Sequence, residues 1–443
     1  MRQAFCAALV LLASARLAFA GPLPRYDLPV GRVLEYEANS TSKENDGPES
    51  TSSLTRRLMV LAENPDGSRR VVVRTASTYN HSGMQADERI SLSRVDLFPD
   101  GRAVLDDNAM PGSGIASLLP KLPDDASQSA GQWVQTDPTD QSTHTYRFKS
   151  DTDGQYVFTS ESEGPMDRIH ITTSATTMHF DRAKGLIVAI ESTGSQDYGF
   201  HSKSTGTAKL TKVDTIEPAR LEAMRKDYDT YFDAVKQYGS ITGKSADQPE
   251  NTEKFLTEGR LVLDKAAGSV SLDEVKQELA RMLKSHDDSA KYELDSARQI
   301  AAVLNKPAAD WTAKDLAGNE FSQKGLRGKV VVMDFWYRGC GWCMYAMPQV
   351  RQLAEDYKDK PVVFLGMNTD REQADAEFVI KEFDLKYPTL KATGIPEKFG
   401  VRGFPTMIII DPQGVVRGCH IGYSPDLRKS VTKKIDELLK TPA

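Results

Sequence analysis

Residues 330–336 read Val-Val-Val-Met-Asp-Phe-Trp, an almost unbroken apolar run, and Cys340-Gly341-Trp342-Cys343 follows at the head of a segment with helical spacing. A run this short and rich in β-branched residues predicts a buried strand, so the cysteine pair falls at a strand-to-helix junction. Downstream, the pattern predicts a helix over 340–357, a strand over 362–367 and a helix over 375–383. Strands over 406–410 and 415–421 flank the turn Asp411-Pro412-Gln413-Gly414, and residues 427–439 close as an amphipathic helix. Strand, helix, strand, then a hairpin and a helix predicts an α/β sandwich around one sheet from Asn305 onward.

The remaining chain follows other rules. At 443 residues it exceeds what a single core serves, and a prior of roughly 150 residues per domain suggests about three units. Between 21 and 215, short alternating segments are divided by turn chemistry at Asn64-Pro65-Asp66-Gly67, Pro99-Asp100-Gly101, Asp151-Thr152-Asp153-Gly154 and Ala183-Lys184-Gly185. That grammar predicts an antiparallel β domain. Its histidines, His81, His144, His170, His179 and His201, are scattered, without the paired spacing that a metal site requires.

Residues 216–304 predict a helical connector. Leu221, Met224, Tyr228, Tyr231, Val235 and Tyr238 recur three and four apart, lining one face of a helix from Pro218 to Gly239. Ser271 and Glu274 predict a capping box ahead of Val275, Leu279, Met282 and Leu283, and Leu294, Ile300 and Val303 predict a further helix.

Composition excludes several partners. Lys and Arg total 56 against 62 Asp and Glu, a net charge of -6, so no positive field draws a phosphate backbone and nucleic acid is not an expected partner. Met1-Arg2-Gln3, an apolar run over 4–15 and Ala18-Phe19-Ala20 predict a secretory signal peptide cleaved after Ala20. A membrane span needs roughly 20 apolar residues, and Arg16 interrupts this run. The expected location is therefore periplasmic or otherwise extracytoplasmic, with no stable membrane span. Of the 4 cysteines, Cys6 leaves with that leader, so Cys340, Cys343 and Cys419 remain, too few for a disulfide scaffold.

Three apart at a helix start, Cys340 and Cys343 place both sulfurs on one face within bridging distance. The free amides and positive dipole end favour a thiolate at Cys340, the predicted nucleophile, and Cys343 is placed to resolve the mixed disulfide that results. Zinc would need two further ligands, and neither a second CxxC nor a paired histidine motif is present. A static disulfide is the remaining alternative. Asp334 in its apolar strand would be desolvated, which raises its pKa and suits it to carry the proton of Cys343; the structural alternative is a carboxylate hydrogen-bonded near a strand end. Cys419 and His420 are adjacent on a predicted strand and point to opposite faces, so Cys419 reads as a structural cysteine.

Together, Asp334-Phe335-Trp336, the Cys-Gly-Trp-Cys motif, Pro348 within the helix and Gly400-Val401-Arg402-Gly403-Phe404-Pro405-Thr406 make the chain from Pro307 to Leu439 resemble the TlpA/ResA branch of the thioredoxin-like superfamily. The stretch containing Tyr387-Pro388-Thr389-Leu390 is similar to that branch's insertion. The resemblance implies thiol-disulfide exchange with exported cysteine-containing proteins and a redox donor or acceptor protein, with the disulfide itself in place of a cofactor. It also implies a cis bond before Pro405, whose backbone faces the disulfide and pairs with an extended partner. Trp336, Trp342, Phe404 and Thr406, close to the pair or the proline in sequence, are the residues expected to bind that partner. Two departures stand out. Asp334 takes a position where many members carry Asn, and Ala346 one where they carry Glu, so the acid-base carboxylate has moved from helix to strand. Gly341-Trp342 between the cysteines and Arg338 upstream leave the redox potential open. Reduction of partners is the first expectation. The alternatives are a thiol peroxidase, for which the residues before Cys340 lack a Pro-x-x-x-Thr/Ser-x-x-Cys loop, and a ligand-binding or copper-binding envelope protein, for which CxxxC with a histidine is missing.

Overall fold

Alternating apolar and polar residues build the N-terminal part of the chain. The computed structural model describes residues 22–44, 47–81, 84–85, 88–105, 115–136, 143–163, 171–197, 201–246, 248–424 and 427–440. The expected signal peptide and His170 lie outside them. The chain divides into two compact units, one reaching Tyr228 and the other beginning at Asp229.

The first unit carries a 12-stranded sheet. Its first strand, Arg32–Glu44, pairs antiparallel with Glu49–Glu63 on one side and with the last strand, His201–Thr215, on the other. From that central pair the strands run outward in sequence order to Ala103–Leu105 at one edge and Gln132–Thr136 at the other. Leu34, Tyr36, Leu58, Val60, Val71, Val73, Val95 and Leu97 alternate onto one face and share a core with Trp133, Tyr156, Phe158 and Phe180. All four turn clusters are hairpins. In the first, the Asp66 carboxylate accepts from Ser68 N–H at 2.9 Å and Gly67 takes φ +84°. The strands are longer than the apolar pattern suggests, reaching 15 residues. Ser- and Thr-rich tails extend the ladders, and their hydroxyls pair across strands, as Ser40 with Ser52 at 2.7 Å and Ser53 with Thr78 at 2.6 Å.

The helical stretch begins with α1 (Pro218–Thr242), whose aromatic stripe buries Met224, Tyr228 and Tyr231. Next, α2 (Thr252–Ala267) has no counterpart among the predicted segments, although Phe255, Leu256, Leu263 and Ala266 supply a buried stripe at helical spacing. The two helices expected after Ser271 are one, α3 (Asp273–Val303), with Leu272 rather than Ser271 at the N-cap. No glycine or proline interrupts the polar stretch between the apolar clusters. Lys284 pairs with Asp288 at 2.7 Å and Ser289 donates to Glu293 at 3.0 Å, so contacts along the helix carry it through.

The rest of the second unit is α/β: β1 (Val330–Trp336), α4 (Gly341–Asp356), β2 (Val362–Asn368), α5 (Gln373–Glu382), β3 (Thr389–Lys391), β4 (Thr406–Ile410), β5 (Val416–Ile421) and α6 (Leu427–Lys440). The sheet order is β3-β2-β1-β4-β5, with β1 parallel to β2 and antiparallel to β4. Every residue of β1 is buried, which is why its sequence reads as continuous rather than alternating. Val330, Val332 and Trp336 face the cluster that holds α4 and α6, while Val331, Met333 and Phe335 face one shared with Trp311 and Ile300 of α3. Cys340 and Cys343 belong to the first of these clusters, and Cys419 to the second.

Candidate active site

Cys340 is the N-cap residue of α4, and the sequence explains why the helix starts there. The apolar strand ends at Trp336, and Cys340 N–H is tied back to the Tyr337 carbonyl at 3.1 Å. Its Cα torsions are extended, so its sulfur takes the place of an N-cap oxygen and accepts from Cys343 N–H at 3.1 Å. The two sulfurs are bonded at 2.05 Å with Cα atoms 5.2 Å apart. Cys340 is 7% exposed and Cys343 0%, so an approaching sulfur meets Cys340 first. The same N–H and the helix's positive end face the Cys340 sulfur, favouring its thiolate once the bond opens. Pro348 lies inside α4, in the helix interior as expected.

Asp334 lies between Val332 and Trp336 on the strand face toward α4 and the cluster that holds the pair. It is 3% exposed, its Oδ2 has no hydrogen-bond partner, and burial pushes its carboxyl up to about 7. In register with it are Gly366 on β2 and Thr389 on β3. A Cβ on Gly366 would stand 2.9 Å from Thr389 Oγ1 and 3.0 Å from Trp336 Nε1, two more buried polar atoms without partners. Gly366 and Thr389 therefore share the polar floor of the site. Nothing in the sequence signals this, because the three strands meet only in the folded sheet.

The Phe404-Pro405 bond is cis. Among the described residues, no backbone hydrogen bond engages Phe404 N–H or C=O, which leaves that edge available to an extended chain. Aromatic side chains surround the disulfide. Trp342 is 62% exposed and stacks on Tyr423 at 5.8 Å, Tyr345 lies 5.7 Å from Trp342, and Phe404 meets Tyr337 edge-on at 5.4 Å.

Two of the four expected partner-binding side chains are buried. Trp336 is fully enclosed, because its position on a strand buried on both faces turns its ring into the core under α4. Thr406 is 1% exposed and donates its hydroxyl to the Gly403 carbonyl at 2.8 Å, which shapes the loop before Pro405. Tyr345 and Tyr423, which the sequence reading passed over, lie beside Trp342 instead. Arg338 does not hang over the cysteines: its guanidinium pairs with Asp375 at 2.7 Å and covers the Phe378 ring at 4.2 Å. Cys419 is buried on the far face of the sheet, where desolvation pushes its thiol up to about 12. Among the described residues no group of three or more metal-ligating side chains occurs, and none of the helices is long and apolar enough to cross a membrane.

A strand carrying Asp334, a cysteine pair capping the next helix and a cis-proline loop before an antiparallel strand make up one thioredoxin-like arrangement. Residues 304–435 match the Redoxin family model. The C-terminal region is a Redoxin domain. It is similar to the thioredoxin-like protein YneN of Bacillus subtilis, 28% identical over 148 residues, covering 33% of this chain and 86% of that protein. With the thiol-disulfide oxidoreductase ResA of Bacillus cereus it shares 32% identity over 115 residues, covering 26% of this chain and 66% of that relative. A solution structure of a thiol:disulfide interchange protein from a Bacteroides species is 30% identical, with TM-score 0.28, covering 30% of this chain and 90% of that one. These three alignments each cover a third of the chain or less.

Proposed function

We propose that this enzyme, a thiol-disulfide oxidoreductase of thioredoxin-like fold, works outside the cytoplasm and reduces disulfides in exported proteins. The leader pattern at residues 1–20 supports the location, and the relatives' names support the chemistry. The observation that carries the reading is the N-cap geometry of Cys340, whose sulfur accepts from Cys343 N–H, with the buried Asp334 on the preceding strand and its Oδ2 without a partner.

In the reduced enzyme the Cys340 thiolate attacks one sulfur of the partner's disulfide, forming a mixed disulfide, and the departing partner sulfur takes a proton from solvent. Cys343 then gives its proton to Asp334 and attacks the Cys340 sulfur. The partner's second sulfur leaves and is protonated in turn. Two electrons have passed to the partner and Cys340–Cys343 is oxidised. A second exported dithiol protein restores the pair by the same steps in reverse. With a carboxyl near 7, Asp334 can accept and return that proton close to neutral pH. Exposed Trp342 and the free backbone edge of Phe404 hold the partner's segment while its sulfur meets Cys340.

Two variants test this. Cys340→Ser should lower disulfide exchange by about a thousandfold or more, since the nucleophile is gone. Cys343→Ser should accumulate mixed disulfides with exported proteins at Cys340, and their identities give client and direction together. Exchange by Cys340→Ser equal to the parent rate would end the proposal.

A further inference from the structure

The aromatic surface around the disulfide continues onto a residue outside the matched Redoxin region. Tyr292, on α3, is 65% exposed, and a Cβ placed on Gly403 would stand 3.9 Å from its hydroxyl and 3.9 Å from Ile421 Cγ2. Gly403 immediately precedes Phe404, whose backbone edge is open. The ring of Tyr292 thus borders the loop on which a partner segment would lie.

This border is fixed in place. Downstream of Tyr292, Ile300 is buried in a cluster against which Val303, Leu304, Phe404 and Ile421 also pack. The chain leaving α3 is laced to β5, Asn305 N–H donating to Val416 C=O at 2.8 Å and Val416 N–H to Lys306 C=O at 2.9 Å. The helix that carries Tyr292 and the loop that carries Phe404 therefore share one packed core. A lone exposed tyrosine is unremarked on any surface. Here it borders the loop of Phe404, whose ring meets Tyr337 edge-on at 5.4 Å, in the unit that also exposes Trp342 and Tyr345. Rigid aromatic side chains with a wet polar tip are the groups that give contact area at low entropic cost.

We propose that Tyr292 is a specificity-determining residue of the exchange reaction, its ring forming the outer wall of the partner groove beside Gly403 and Phe404 and binding an apolar or aromatic side chain next to the partner's cysteine. The inference rests on the proposed function and adds to it a substrate class, extended cysteine segments with aromatic flanks. Gly403 puts no side chain of its own between Tyr292 and Ile421, where a single Cβ would stand in ordinary van der Waals contact with both.

The full chain without its leader is assayed against three disulfides: a peptide disulfide with phenylalanine on both sides of cysteine, one with serine there, and hydroxyethyl disulfide, which has no flanks. For Tyr292→Ala, the KM for the phenylalanine-flanked peptide should rise roughly fivefold, while kcat, the pH profile and the hydroxyethyl disulfide rate stay at the parent values. Tyr292→Phe should behave as the parent. Equal KM values for parent and Tyr292→Ala on the phenylalanine-flanked peptide would overturn the inference and leave the proposed function standing. So would a loss that falls equally on all three substrates, which would mark a structural role. A parent protein that reduces none of them overturns both.

Discussion

Turn and strand-end carboxylates of the first unit and the strand carboxyl of the second are held in opposite ways. In the first, Asp66 and Asp214, both in solvent, are held below the usual carboxylate range by hydrogen bonds from Ser68 and Lys212. In the second, Asp334 is enclosed and pushed the other way, to about 7, by burial alone, with Trp336 Nε1 and Thr389 Oγ1 equally unpartnered nearby. A fold selected only for stability has no reason to keep three unsatisfied polar atoms around adjoining positions of three neighbouring strands. Asp66 supports its own turn, whereas Asp334 is a costly group retained on the strand that leads to the cysteine pair.

That contrast can be broken at Asp334. The carboxyl is neutral in both folded and unfolded states below about pH 4. Between the unfolded value near 3.8 and the folded value near 7, the folded state binds the extra proton, so stability falls as pH rises through this window and the penalty is complete above it. Asp334→Asn removes the penalty and should raise stability by up to about 4 kcal/mol at pH 8, with little change at pH 4. The same variant should slow release of the mixed disulfide and flatten the pH dependence near 7. Denaturant melts at the two pH values and single-turnover kinetics check both effects. Stability that is unchanged at pH 8 would mean the carboxyl is not held as the burial implies.

The first unit should respond in the opposite sense. Gly101 takes φ +83°, and a Cβ there would stand 2.2 Å from the Pro120 carbonyl oxygen. Gly101→Ala should destabilise the first unit by about 2–4 kcal/mol and leave exchange with a small disulfide at the parent rate. A proportional loss of that exchange would break the division of labour. The smallest effect is expected at Cys419. Buried with its thiol pushed up to about 12, it stays protonated, so Cys419→Ala should cost about 1 kcal/mol and leave turnover and the potential of the pair unchanged. Rapid alkylation of Cys419 in the native protein at pH 8 would contradict its burial.

What could be read from the sequence follows how local each signal is. The strands and helices around the pair, the four hairpin turns and the helix through Tyr228 and Tyr231 rest on spacing within one segment, and they fold as that spacing implies. Cys340 at a helix start is equally local. The burial of Trp336 and Thr406 is not legible in the sequence, because it is decided by what packs on a strand, and an aromatic beside a cysteine pair looks the same buried or exposed. Gly366 and Thr389 enter the site only through the register of three strands, and Tyr292 only because α3 packs beside the loop at Gly403. The unbroken α3 was hidden by a polar stretch, where the absence of any glycine or proline was the signal to follow.

The central claim is that the Cys340 and Cys343 sulfurs join and separate reversibly while the fold persists. Equilibrating the protein in graded mixtures of reduced and oxidised dithiothreitol, then trapping thiols in denaturant and weighing the chain, measures this directly. Two trapped thiols, at Cys340 and Cys343, should appear and vanish together along a two-electron curve, with Cys419 trapped throughout. A mass that stays constant across the whole series would contradict the account.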